Sequence, residues 1–426
     1  MIKVCIIGAG PSGITAAKTL KEAGIDFVCY EKGSDIGGVW RYNNDNGLSS
    51  AYKSLHINTN RNLMAYSDFP MPEHYAMFPH HEEIIRYFED YVRHFDIRKF
   101  IRFKSAVARV SPEKDGRFEV KLEDGSSELF THVIVANGHH WNPRYPEFEG
   151  KFEGEVMHSH YYREPDQIKN KDVLVVGIGN SAVDIACEAA RQYSGKVVIS
   201  TRSGAYITPN WIWSIPFDSL ANPATARLPL WIQRKLLGLT LWLARGKQED
   251  YGVPKPKRPL LSEHPTLSQD LLNLSGRGAV KFKPNIKKLE GRTVYFEDGT
   301  SQDFDILVYS TGYKITFPFL KHIPQFDVEE TNDIRLYKKV IDPGFPGLFF
   351  IGLMQPLGAI MPLSEVQSKW IVSVLKGTTV LPTVAKMKEE IMRDKQKMSE
   401  RYKSSARHTL QVDFHVYKNE LEKMMK

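Results

Sequence analysis

Cysteine is scarce in this chain: Cys5, Cys29 and Cys187 are the only three in 426 residues. Three isolated thiols cannot build a disulfide framework or a closed zinc site. No Cys-x-x-Cys pair is present to pass electrons through a disulfide. A reducing, cytoplasmic setting is the expectation. Long apolar runs are missing as well, so no transmembrane helix is expected. The N-terminal run Ile2 to Ile7 is too short for a secretory signal and leads straight into Gly8. No low-complexity segment occurs. Charge is only mildly unbalanced, with 57 Lys and Arg against 50 Asp and Glu, net +7. The cations are spread along the chain and no aromatic RNA-binding motif accompanies them. They read as a solvated surface suited to an anionic cofactor, with no nucleic-acid partner.

Glycine is present at its ordinary share, so its placement carries the information. Residues 2–7 are apolar and β-prone, as a buried parallel strand should be. Gly8-Ala9-Gly10-Pro11-Ser12-Gly13 follows, then a helix to Ala23 that stops at Gly24, then a second strand, Phe27 to Tyr30, ending at Glu31. In this order the turn is a dinucleotide fingerprint. Gly8 makes the tight turn, Gly10 lets the backbone approach a pyrophosphate, and Gly13 lets helix and strand pack closely. The pyrophosphate sits on the helix N-terminus, and Glu31 accepts from a ribose hydroxyl.

The unit repeats. Val173 to Val176 is a strand, Gly177-Ile178-Gly179-Asn180-Ser181-Ala182 the turn, Val183 to Arg191 a helix, and Val197 to Thr201 a strand ending at Arg202. Ala182 replaces the third glycine, which the fingerprint tolerates. Arginine at the second strand's end pairs with a 2′-phosphate where an acid would repel it. NADPH is therefore expected here in preference to NADH, modestly so because Ser203 follows where a second basic residue would strengthen the pair. One turn followed by an acid and another by arginine imply a flavin and a nicotinamide, with hydride passing from NADPH to FAD.

Between and around these units lie a helix over 82–95, strands over 103–110 and 117–123 that lead to a hairpin turn at Asp124-Gly125, and buried strands over 133–136 and 305–310. Residues 205–280 are rich in Pro and Trp. Their apolar stretch from Leu230 to Leu243 is too short to span a bilayer. A core helix, a lid over an active site and a membrane-surface helix all fit it. A charged helix is expected over 384–404.

Phe152-Glu-Gly154-Glu-Val-Met-His158-Ser-His-Tyr-Tyr162 resembles the Phe-x-Gly-x-x-x-His-x-x-x-Tyr signature of flavin-containing monooxygenases. Baeyer–Villiger enzymes have a similar motif ending in Trp, so Tyr162 favours the former. Gly37-Gly38-Val39-Trp40, Tyr52 to Asn60, Ser67-Asp68-Phe69-Pro70, Ser310-Thr311-Gly312-Tyr313, Gln355 to Trp370 and Arg407 to Asp413 resemble further stretches of the family, so the likeness covers nearly the whole chain. Asn60 stands where serine is usual, Asn137-Gly138 where Thr-Gly is usual, and the hydrophobic C-terminal anchor of the vertebrate enzymes is absent. The resemblance is therefore to a soluble, bacterial-type member.

The resemblance implies an α/β fold with two Rossmann-like dinucleotide-binding domains: a discontinuous FAD domain, 1–165 and 290–426, and an inserted NADPH domain, 166–289. It adds Gly38, Val39, Trp40, Asn58, Thr59, Val107, Gly312 and Gln367 to the cofactor contacts, with His158 and Asp184. It implies that NADPH reduces FAD, that NADP⁺ stays bound, and that O2 gives a hydroperoxyflavin attacked by amine nitrogen or sulfide sulfur. Asn58 would hydrogen-bond that oxygen. Ketone oxygenation and an NADPH oxidase making hydrogen peroxide are the alternatives. A homodimer is compatible with the sequence.

Overall fold

The computed structural model describes residues 1–192, 195–263, 265–401 and 409–426. Arg407 and His408 of the C-terminal motif lie outside the described residues. The described chain divides into two compact units. The first comprises Met1–Ala51, Leu55–Asn142 and Tyr313–Lys426, and the second Tyr52–Ser54 and Pro143–Gly312.

In the first unit β1 (Lys3–Ile7) feeds α1 (Pro11–Glu22), which returns to β2 (Asp26–Tyr30). Pro11 opens α1 where a missing N–H costs nothing. Gly24, at φ +68°, closes it: its amide donates to Lys21 and that of Ile25 to Leu20. Next come α2 (His81–His94), β3 (Ile101–Arg102) and β4 (His132–Val135).

In the second unit β5 (Glu155–His158) precedes β6 (Val173–Val176), α3 (Asn180–Gln192), β7 (Val197–Ser200), α4 (Leu230–Arg245), β8 (Val280–Lys283) and β9 (Ile306–Tyr309). The chain then returns to the first unit with β10 (Leu348–Phe350) and α5 (Met361–Leu375), and α5 packs on α1.

Each unit holds a five-stranded sheet, all parallel, ordered β10-β4-β1-β2-β3 in the first and β5-β9-β6-β7-β8 in the second. The strand before each glycine turn is central and apolar, because both its faces are covered. Each unit also carries a three-stranded antiparallel meander, 107–112, 118–122 and 127–130 before β4, and 286–291, 293–296 and 301–303 before β9. Both meanders turn at Asp-Gly, with Gly125 at φ +89° and Gly299 at +80°, and the aspartate accepts from the amide two residues on.

The second unit is wider than the 166–289 span expected for the inserted domain. Its outer strand β5 precedes the glycine turn in the chain, the second meander begins at 286, and β9 follows it. Helix α4 is not a core helix: among its residues only Leu241 is buried.

The helix–strand contact at Gly13 tests the first unit directly. A Cβ on Gly13 would stand 1.8 Å from the Gly8 carbonyl oxygen, which is backbone and cannot rotate away. Gly13→Ala should cost roughly 1–3 kcal/mol or more and lower the melting temperature by several degrees. Gly24→Ala, with nothing within 4 Å of its Cβ, should cost about 1 kcal/mol through its left-handed backbone alone. Thermal denaturation of the two variants checks the order.

Candidate functional site

The first turn lies at the carboxyl end of β1, where the sheet order places β4 on one side and β2 on the other. Parallel sheets bind ligands at such a switch point. Gly8 adopts φ +102°, and a Cβ there would approach the Ala136 carbonyl oxygen to 2.8 Å. Gly10 is different. A Cβ there meets only the Gly38 Cα, at 3.8 Å, so protein packing alone does not demand glycine. Helix α1 has no side-chain cap and no acid in its first turn, which leaves the amides of Ser12 and Gly13 aimed at an anion. A cradle that a side chain would fill, above an uncapped helix end, fits a pyrophosphate.

Glu31 is buried at the end of β2. One carboxylate oxygen accepts from the Ala9 amide at 2.7 Å, and the other from Gly33 at 2.7 Å and Asn46 at 3.3 Å. Four lone-pair positions and three donors leave one for a ribose hydroxyl. The short helix Gly38–Trp40 is tied to this turn by the Gly37 amide, which donates to the Ala9 carbonyl at 3.1 Å. Val39 and Trp40 are half-buried beside it. Asn58 and Thr59 are half-buried in a bend that enters helix Arg61–Met64, whose amides Asn60 caps, so the departure from serine keeps the cap. Val107 opens the first meander strand. Gln367 is fully buried with both ends engaged: it accepts from the Gly352 amide and donates to the Tyr417 hydroxyl, so its observed role is to hold β10's exit to α5.

In the second unit Gly177 repeats the constraint. It stands at φ +123°, and a Cβ would lie 2.5 Å from the Ser310 carbonyl oxygen. Gly179 and Ser181 complete the turn, and Ala182 is fully buried where Gly13 stands in the first unit. The Ser310 hydroxyl is buried with no partner among the described residues, an orphan that suits a polar ligand at this turn. The side-chain oxygen of Asn180 accepts from the Leu267 amide at 2.9 Å, which ties the helix start to the 266–267 strand. Arg202 is exposed at the end of β7. His158 is buried at the end of β5 beside the Gly312 backbone, and its Nδ1 accepts from the His160 amide at 3.1 Å. Burial, with His160 adding to it, pushes the His158 imidazole down to about 4. A ring neutral at physiological pH is not a fixed cation for phosphate.

Comparison with known proteins matches residues 1–426 to the family described as flavin-binding monooxygenase-like. The chain belongs to that family. It is 39% identical to human flavin-containing monooxygenase 5, over 97% of this chain and 80% of that one. It is 34% identical to rat dimethylaniline monooxygenase [N-oxide-forming] 2, over 98% and 82%. The solved S-allyl-L-cysteine S-oxygenase of Allium sativum superposes with a TM-score of 0.73 at 28% identity, covering 99% of this chain and 88% of the other. FAD and NADPH are the cofactors of this flavin monooxygenase, and both glycine turns fit such dinucleotides.

One network was not legible beforehand. Asp184 is buried on α3 and accepts from the Tyr52 hydroxyl, while Glu188, one turn along, accepts from Tyr162 at 2.6 Å and Ser54 at 3.1 Å. The signal available was the i, i+4 pair of acids on one helix face. Asp184, expected among the cofactor contacts, bonds Tyr52, and together with Glu188 it ties the Tyr52–Ser54 segment, a few residues before Asn58, to α3. Desolvation raises its carboxyl to about 6, with Glu188 and Asp270 adding and the Tyr52 hydrogen bond opposing.

A carboxyl raised on folding stabilises the fold at pH values below its unfolded pKa and loses that stabilisation as pH climbs through about 6. Asp184→Asn stays neutral, keeps an acceptor for Tyr52, and lacks this fall. Its stability relative to the parent should rise by about 1–2 kcal/mol between pH 5 and pH 7.5. Urea unfolding at the two values measures it; a constant difference would place the Asp184 carboxyl at its ordinary pKa.

Proposed function

We propose that this flavin monooxygenase uses NADPH and O2 to oxygenate soft nucleophiles, sulfide sulfur and amine nitrogen. The observation that carries the reading is the pair of glycine turns with opposite charges at the ends of their second strands, Glu31 and Arg202. A carboxylate favours ribose hydroxyls and repels a 2′-phosphate; an exposed guanidinium does the reverse. The first unit is thereby assigned FAD and the second NADPH. All three cysteines are buried, and burial raises their thiols, that of Cys187 to about 12. Thiolate chemistry is therefore not available to them. The names of the garlic and rat relatives, an S-oxygenase and an N-oxide-forming enzyme, support sulfur and nitrogen as the acceptors.

When bound, the flavin would supply hydride acceptance from NADPH and dioxygen activation, chemistry that no side chain supplies. The chain binds and orients. The turn from Gly8 to Gly13 would hold one pyrophosphate and Glu31 its ribose. The turn from Gly177 to Ala182 would hold the other, and Arg202 the 2′-phosphate. Asn58, half-buried on a bend held by the Asn60 cap, offers an amide donor to oxygen.

Asn58→Leu separates the two halves of the reaction, because leucine is near in size and donates nothing. Loss of one preorganised donor typically costs about 2.7–4 kcal/mol. The variant should keep oxidising NADPH, release hydrogen peroxide, and form roughly a hundredfold less sulfoxide or N-oxide. Parallel assays of NADPH, peroxide and product with methyl phenyl sulfide and trimethylamine decide the matter. Unchanged coupling would remove Asn58 from the mechanism. A parent enzyme that oxygenates neither substrate would overturn the assignment.

A further inference from the structure

The amide of Gln367 leads away from the first turn to the C-terminal helix Phe414–Met424. Its nitrogen donates to the Tyr417 hydroxyl at 2.8 Å, and that hydroxyl donates to the Lys338 carbonyl at 2.6 Å. A phenol carries one proton. Tyr417 gives it to a carbonyl, which can only accept, so its own oxygen is left to accept from Gln367. This turns the carboxamide so that its oxygen faces the Gly352 amide, at 2.9 Å. The bonds therefore run in one direction, from Gly352 through Gln367 and Tyr417 to Lys338.

Both ends of this relay are fixed. Lys338 is buried, and its ammonium pairs with Glu420 at 2.6 Å and Glu390 at 2.9 Å. Glu420 stands three residues after Tyr417, so one helix grips residue 338 by its backbone and by its side chain. At the other end Gly352 leaves β10 pressed on the start of α1. A Cβ there would stand 2.1 Å from the Ser12 hydroxyl, which lies 3.0 Å from the Ser364 hydroxyl. Ser12 is the second residue of α1, and its amide is among those left open to an anion. Gln367 and Tyr417 are both buried, so losing either partner leaves a polar group unpaired inside the protein.

We infer that Tyr417 is a positioning residue for FAD: by orienting the Gln367 amide it holds Gly352 against Ser12, and so keeps the amides at the start of α1 in place for the pyrophosphate. Tyr417 need not touch the cofactor. The inference rests on the assignment of FAD to the first turn.

The test titrates FAD into the flavin-stripped full chain, with NADP⁺ titrated in parallel. Tyr417→Phe should weaken FAD about tenfold and leave the NADP⁺ affinity unchanged. Gln367→Leu should give the same loss. The double variant Gln367→Leu/Tyr417→Phe should again lose about tenfold, because both substitutions break one relay. Three results would overturn the inference: FAD binding to Tyr417→Phe as tight as to the parent, losses that multiply to about a hundredfold in the double variant, or an equal loss of NADP⁺ affinity. Gly10→Ala in the same titration separates this inference from the reading beneath it. If that variant binds FAD as the parent does, the first turn does not hold FAD; if it binds weakly while Tyr417→Phe does not, the relay alone is wrong. Should Tyr417→Phe misfold, Gln367→Leu breaks the relay at its middle, and parental FAD affinity in that variant would overturn the inference.

Discussion

Both halves of this protein depend on one contact: a strand-end glycine pressed against the carbonyl oxygen at the end of the neighbouring strand. Gly8 meets Ala136 and Gly177 meets Ser310, each at a positive φ where a Cβ would come within 2.8 Å and 2.5 Å of that oxygen. The contact fixes the exit of the central strand, and the exit fixes where the following helix begins. The residues proposed to bind the two dinucleotides stand at that helix end or at the end of the second strand. The units differ in what stands there. Glu31 is buried and holds the first turn through the Ala9 and Gly33 amides, so it shapes the turn as well as offering a ribose acceptor. Arg202 is exposed and leaves the second turn open to phosphate.

The sheets share an order, and the chain path through them is permuted. In the first unit the glycine strand comes first. In the second, β5 comes before it and forms the outer edge beside β9. His158 ends β5, the outer strand of this sheet, where its Nδ1 accepts from the His160 amide.

Much of this was legible in the residues. Apolar strands bounded by glycine turns gave both βαβ units, because a parallel strand buried on both faces has no polar alternation to confuse it. The Asp124-Gly125 turn marked the first meander, whereas the second, turning at Asp298-Gly299, was not read. Positions where a side chain bonds a partner distant in sequence were not legible. Gln367 reaches Gly352 and Tyr417, and Asp184 reaches Tyr52, through geometry that only the folded chain creates. The apolar run in α4 left core, lid and surface readings open, since periodicity shows a face without showing what covers it. Its exposure in the structure removes the first.

The central claim is that the first turn holds FAD by leaving space for its pyrophosphate, and Gly10→Ala tests it most directly. The added Cβ meets nothing closer than 3.8 Å in the protein, so the flavin-free variant should melt with the parent stripped of flavin. The same methyl occupies the phosphate's approach, so the variant should purify largely colourless and require excess FAD to regain NADPH oxidation. A variant that purifies with one flavin per chain, as yellow as the parent, would contradict the account.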